Sequence, residues 1–158
     1  MNSVKFEIVR FEKLNEIANL VKDTINNVYP RYYPKGAVEF FAELHFLDKI
    51  KENYDKEIIM AALHNDRLIG TGSIHKNEIK RVFIIQEFQS TGFGTSLMDE
   101  LEKNIFCNYD DIEIDASLPA YKFYSNRGYA SMEYIKLETK YNHYLCYHHM
   151  QKKKIKYS

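Results

Sequence analysis

Residues Arg81 to Lys103, RVFIIQEFQSTGFGTSLMDELEK, change character twice. Strand-forming side chains give way to polar ones, then to Gly92 and Gly94, then to a helical pattern. The first N–H groups of a helix have no intrahelical partners, and the helix dipole places partial positive charge beside them. A phosphate satisfies both needs. Glycine lets it approach backbone that a Cβ would shield. The chemistry on offer is a phosphate or pyrophosphate cradle of main-chain amides running from about Ser90 to Thr95.

Two phosphate-binding patterns are excluded. A nucleotide P-loop needs GxxxxGK followed by Ser or Thr, and the chain has no such run. A dinucleotide fingerprint needs GxGxxG early in a parallel βαβ unit, which is also missing. Taken alone, Gly92 and Gly94 fit a plain tight turn equally well.

Other residue types limit the chemistry further. His45, His64 and His75 each have an ordinary pKa suited to a base. His148 and His149 are neighbours on a strand-like stretch and must face opposite sides, which argues against a shared metal. No metal is expected. Lys plus Arg and Asp plus Glu both number 22, so the chain lacks the basic footprint of a nucleic-acid binder. The run KKKIK from Lys152 to Lys156 reads as a solvated tail. Cys107 and Cys146 have apolar or aromatic neighbours and read as buried free thiols in a reducing compartment. No signal peptide or membrane-length apolar run is found, so a cytoplasmic, membrane-free protein is expected.

These residues need elements to position them. The chain has 158 residues, which reads as one domain spanning 1–158. Val4 to Phe11 alternates as a first strand, and Leu14, Ile17, Val21, Ile25 and Val28 recur at helical spacing. Two prolines and a glycine in YPRYYPKG end that helix, and a second helical segment runs from Ala37 to Tyr54. Glu57 to Ile85 reads as three strands turning at Asn65-Asp66 and at Lys76-Asn77. The helix after the glycines carries Leu97, Met98, Leu101 and Ile105 on one face. In DIEIDAS, Ile112, Ile114 and Ala116 alternate inward. A helix follows, with Pro119 near its start and Gly128 at its C-cap, and the last two strands are MEYIKLETK and HYLCYHHMQ. The order β-α-α-β-β-β-α-β-α-β-β predicts an α+β fold, a mixed and mostly antiparallel seven-stranded sheet flanked by about four helices.

Within this order, Gln89-Ser90-Thr91-Gly92-Phe93-Gly94 fits Q/R-x-x-G-x-G/A. Glu78 to Gln89 resembles the fourth strand, and AYKFYSNRGY the A-x-x-F-Y-x-x-x-G-F/Y helix, of the GNAT superfamily of N-acetyltransferases. The resemblance spans almost the whole chain. It implies acetyl-CoA as the acetyl-donating cosubstrate, with its pyrophosphate on Gln89, Ser90, Thr91, Gly92, Phe93, Gly94 and Thr95. It also implies a sheet splayed between strands 4 and 5, where the main chain of Val82, Phe83 and Ile84 would hold the pantetheine arm. The amide at or next to Ile84 would polarise the thioester carbonyl.

By the same resemblance, Tyr124 lies where the acid that protonates departing CoA thiolate is expected, four residues before Gly128. A phenol near pKa ~10 suits a thiol of ~8.5. The alternative is an aromatic that only packs. Glu78 matches a position where relatives carry a basic glutamate, although a plain surface carboxylate would look the same. Ser117 stands where many relatives have a cofactor-holding Asn. Tyr29, Tyr32 and Tyr33 lie in the loop where the resemblance places the acceptor, a small-molecule or peptide amine. The expected activity is direct acetyl transfer in a ternary complex, with homodimer formation left open. The rival readings are a non-catalytic acyl-CoA-binding regulatory module on the same fold and a nucleotide-phosphate binder.

Overall fold

The computed structural model describes residues 3–156. Strand β1 (Lys5–Ile8) pairs antiparallel with β2 (Ile58–His64), and β2 pairs with β3 (Arg67–His75). The hairpin between β2 and β3 turns on Asn65 and Asp66, both at positive φ, as a two-residue turn with the twist of its strands requires. Strand β4 (Glu78–Ile84) follows antiparallel to β3. Beyond it lie β5 (Asp111–Ser117), β6 (Ala130–Glu138) and β7 (Tyr144–Lys153), giving one sheet in the order β1-β2-β3-β4-β5-β7-β6. The predicted α+β sheet is the one found.

Helices cover both faces. On one lie α1 (Leu14–Val28), α2 (Lys35–Leu44) and α3 (Leu47–Asn53), sealed by Leu14, Val21, Ile25 and Ile50, all fully buried. On the other lie α4 (Phe93–Phe106) and α5 (Tyr121–Asn126). Leu97, Met98, Leu101 and Ile105 of α4 pack there on Ile112, Ile114 and Ala116 of β5, as their periodicity predicts.

Among the described residues the one parallel contact, β4 with β5, consists of two pairs, Glu78 with Glu113 and Ile79 with Ile114. The strands then part, and the cause is local. Thr71 faces Phe83 and Ser73 faces Lys80, so Arg81 and Val82 together oppose Gly72. This is a β-bulge, and its extra residue, Arg81, sits at φ 51. A bulge bends the strand that carries it and sharpens the twist. β4 therefore leaves β5 just past Ile79.

Several boundaries differ from expectation. The predicted single helix from Ala37 to Tyr54 breaks at His45 (φ −118, ψ 15) and Phe46 (ψ 156). Burial of Ile50 on one side and an Arg81 hydrogen bond to His45 on the other hold the two halves at different angles. The first strand is shorter, because Phe11–Lys13 form a 3-10 turn. The lysine tail is not simply solvated: Lys152 reaches Glu102, and Lys154 donates to the Phe106 carbonyl at the end of α4, where the helix dipole favours a cation. Cys107 is exposed rather than buried, and Cys146 is half-buried; neither forms a disulfide. Among the described residues, no helix is long and apolar enough to cross a membrane.

Candidate functional site

Where β4 and β5 part, a cavity of about 320 Å³ opens toward α1 and α2. Its walls combine residues from β4, β5, α2, α5 and the turn after α1, among them Glu78, Val82, Phe83, Ser117, Tyr124, Tyr29 and Tyr33. Seven positions chosen from sequence thus meet around one space.

The main chain of β4 explains how such a gap binds. Ile85 N–H donates to the Ile69 carbonyl of β3, and Phe83 pairs with Thr71 in the same register. Alternation along a strand then turns the main-chain groups of Ile84 and Val82 to the opposite side, toward β5. The expectation that Phe83 offers its main chain there is corrected: that group belongs to the β3 ladder, and Phe83 contributes its ring to the cavity wall. The Ile84 carbonyl is taken by the Gln89 side-chain amide at 2.9 Å. Gln89 thereby ties the glycine turn to the end of β4.

The glycine turn opens α4 as predicted. Gly92 is its N-cap at φ 91, a conformation that suits glycine. Ser90 lies at φ 61. Left-handed residues alternating with others make a concave nest of amides that draws anions. The Ser96 N–H bonds the Gly92 carbonyl. Among the described residues, no protein group accepts from the N–H groups of Ser90, Thr91, Gly92, Phe93, Gly94 or Thr95. A Cβ on Gly92 would meet nothing within 4 Å, and one on Gly94 would come no closer than 3.7 Å to Phe123. Space and free donors coincide there, and both fit a diphosphate. Phe93 itself is core, packed edge-on against Phe88 and tilted against His64.

Tyr124 is the buried residue of α5 and faces the cavity. Burial pushes its phenol well above the ordinary tyrosine range, with the Tyr29 hydroxyl adding to the rise and Arg127 opposing it. It stays protonated and able to donate. The same burial would lift a thiolate next to it, so donor and leaving group move together. Glu78 stands at the other end of the cavity, on the first residue of β4, half-exposed beside Lys80 at 3.8 Å. Partial burial raises its carboxyl first; Lys80 opposes, Asp115 and Glu113 add, and His75 opposes. A raised glutamate is a better base near neutrality.

The loop tyrosines divide. Tyr29 and Tyr33 are buried in the cavity wall, whereas Tyr32 is 52% exposed and takes no part in it. The Tyr29 hydroxyl donates to Ser117 at 3.1 Å, and burial pushes it up to about 12. Ser117, accepting that bond, keeps its own proton for the cavity. Tyr33 donates to the Cys146 carbonyl at 2.8 Å and accepts from the Leu118 N–H at 2.7 Å. Of the three rival histidines, only His45 reaches the cavity. Burial and then Arg81 hold it down at about 3, and its Nδ1 accepts from Arg81 Nε at 3.2 Å. That ring is no base. His148 and His149 turn to different partners, Ser131 and Asp115, as strand geometry requires.

Sequence reasoning passed over Arg81, which lines the cavity, and Glu57, which joins it in an ion pair at 2.5 Å, their side chains 7% and 2% exposed. It also passed over Asp115, which shares the rim with Glu78. The alternation of β5, which turns Asp115 away from its core face, was the available signal for the latter.

A family model described as an acetyltransferase (GNAT) domain matches residues 28–154. Among curated proteins, none matches the chain. The GCN5-related N-acetyltransferase, aminotransferase class II, of Rhodopseudomonas palustris superposes with a TM-score of 0.87 at 19% identity, over 97% of each chain. The PaiA N-acetyltransferase of Thermoplasma acidophilum, solved in complex with coenzyme A, superposes at 0.71 and 17% identity, over 96% of this chain and 99% of its own. For yncA of Salmonella typhimurium, solved with its cofactor acetyl-CoA, the values are 0.69 and 10%, over 99% and 96%. At these identities the likeness is one of fold. The family match, however, runs through the parted strand, the glycine turn and the tyrosine-bearing helix that frame the cavity, and by it this chain belongs to the GNAT acetyltransferases.

Proposed function

We propose that the protein transfers an acetyl group from acetyl-CoA directly to an amine, with both held in one ternary complex. The observation that carries this reading is continuity. Free amides at the start of α4 lead into the gap beside Val82 and Ile84, and the gap ends in a cavity holding a buried phenol and a raised carboxylate.

When bound, acetyl-CoA supplies an acetyl group activated as a thioester. The nest from Ser90 to Thr95 holds the diphosphate, and Gln89 fixes the nest to β4. The Ile84 and Val82 amides face where a pantetheine arm would lie, and a fixed amide there stabilises charge developing on the thioester oxygen. Ser117 offers a further donor to the cofactor. Glu78 takes the proton that the acceptor amine must lose, and Tyr124 delivers one to the leaving sulfur. The acceptor is a small-molecule or peptide amine entering past Glu78 and Asp115, and no step requires a metal.

The test has two parts. Acetyl-CoA should raise the melting temperature while ATP should not, and thiol release should appear with members of an amine panel. Saturable acetyl-CoA binding without thiol release from any amine would leave the non-catalytic acyl-CoA module. No shift with acetyl-CoA would remove both.

A further inference from the structure

One group in the cavity has no part in the scheme above, and the protein holds it at considerable cost. His45 ends α2, and its ring is gripped edge-on by Phe41 and Phe83, with centroids 4.6 and 5.8 Å away. Arg81 donates to its Nδ1 at 3.2 Å. A guanidinium has no lone pair to offer, so Nδ1 must be the accepting nitrogen and the ring proton must sit on Nε2. Among the described residues, nothing accepts from Nε2, and the ring lines the cavity.

What fixes Arg81 is expensive. It occupies the left-handed region at the β4 bulge, a conformation unfavourable for an L side chain. Its charge is buried against Glu57, and such a pair gains little over a well-packed apolar one. Two unfavourable features fall on one residue, and its remaining hydrogen bond orients the His45 ring. Strain concentrated in this way marks a functional site.

Resting on the acetyl-transfer reading, we infer that His45 selects the acceptor: its Nε2–H donates to an uncharged oxygen, a carbonyl or a hydroxyl, carried by the amine. The donor lies at the end of α2, in the stretch of wall that also carries Phe41 and Leu44. The oxygen is uncharged because Glu57 already neutralises Arg81. A carboxylate there would be buried without a counter-ion. Glu78 and Asp115 take the amine end, and Phe41 and Phe83 face its apolar body. Arg81 and Glu57 act through His45 as positioning residues.

The test is calorimetry on the protein saturated with CoA, using phenylalaninamide, phenethylamine and phenylalanine as probes. The amide should bind roughly tenfold more tightly than phenethylamine, which lacks the oxygen, as one good hydrogen bond allows. It should also bind more tightly than phenylalanine. His45→Phe should abolish the preference, and His45→Gln, which keeps a donor at that reach, should retain part of it. Melting curves establish that both variants are folded. Equal affinity for amide and phenethylamine, a preference untouched by His45→Phe, tightest binding of phenylalanine, or no binding of any probe overturns the inference. Acetyl-CoA melting shifts and thiol release with the same amines judge the parent reading separately. A protein that acetylates amide and phenethylamine alike keeps acetyl transfer and loses the role of His45.

Discussion

The Tyr33 hydroxyl donates to the Cys146 carbonyl at 2.8 Å and accepts from the Leu118 N–H at 2.7 Å. One phenol from the turn after α1 thus bridges the end of β5 to β7, on the side of the cavity where β5 has parted from β4. Tyr29 makes the neighbouring tie, to Ser117 at 3.1 Å. Tyr33→Phe strands two main-chain groups, and should cost about 2 kcal/mol. Tyr29→Phe should cost about 1 kcal/mol, because Ser117 can turn to the cavity. Tyr32→Phe, at an exposed position, should cost nothing measurable. Melting temperatures of the three variants check the ranking, with Tyr33→Phe lower than the parent by roughly 4–8 °C.

Gly92 separates the needs of the fold from the needs of the ligand. A side chain there meets nothing within 4 Å, so only its φ of 91 resists substitution. Asparagine tolerates that region. Gly92→Asn should therefore melt close to the parent while acetyl-CoA affinity falls roughly tenfold or more, the loss of one charge-assisted contact. Affinity unchanged in a folded variant would move the diphosphate away from α4.

Tyr124→Phe should slow turnover roughly tenfold or more, within the usual contribution of a general acid, and leave acetyl-CoA affinity nearly unchanged. Burial has raised the phenol, so no decline in rate from its ionisation should appear up to its ordinary range near pH ~10. Steady-state kinetics against pH, parent beside variant, would show both. Equal rates would reduce Tyr124 to a packing residue.

How much of this could be read from residues alone depends on the range of the interaction. The glycine turn, the alternation of β5 and the apolar face of α4 are local patterns, and the structure reproduces them. The α2–α3 break was not legible, because Ala37 to Tyr54 is locally a good helix. What ends it is tertiary, the burial of Ile50 and the bond from Arg81 to His45, 36 positions apart. The β4 bulge is equally silent, since Arg81 occupies a backbone position where glycine would have been the visible signal. Tyr29, Tyr32 and Tyr33 look alike in sequence, and only the packing of α1 on the sheet distinguishes wall from surface.

Glu78 should trade stability for rate, and the sign follows from its shift. Burial raises its folded pKa above the ordinary 4.5. A carboxyl raised on folding favours the folded state fully below the unfolded value and loses that advantage as pH rises through the folded value. Glu78→Gln lacks this loss, so its melting temperature relative to the parent should climb between pH 4.5 and neutrality. Turnover should fall roughly tenfold or more. The acid limb of kcat/KM, displaced above the usual glutamate range in the parent, should vanish. A variant that is slower but no more stable would indicate lost positioning rather than a lost base.

Glu57 and Arg81 permit a sharper test, because each is buried and each answers the other. Glu57→Ala leaves the guanidinium without its counter-charge and should cost about 3–5 kcal/mol. Arg81→Met strands the carboxylate and also the His45 Nδ1 that accepts from Arg81 at 3.2 Å, and should cost at least as much. Replacing both together, Glu57→Leu with Arg81→Met, removes charge and counter-charge at once and should recover most of the stability. Urea titrations of the two singles and the double complete the cycle. If the pair serves only the fold, the double variant should also keep the preference of the cavity for phenylalaninamide. If it exists to aim His45, stability returns and that preference does not.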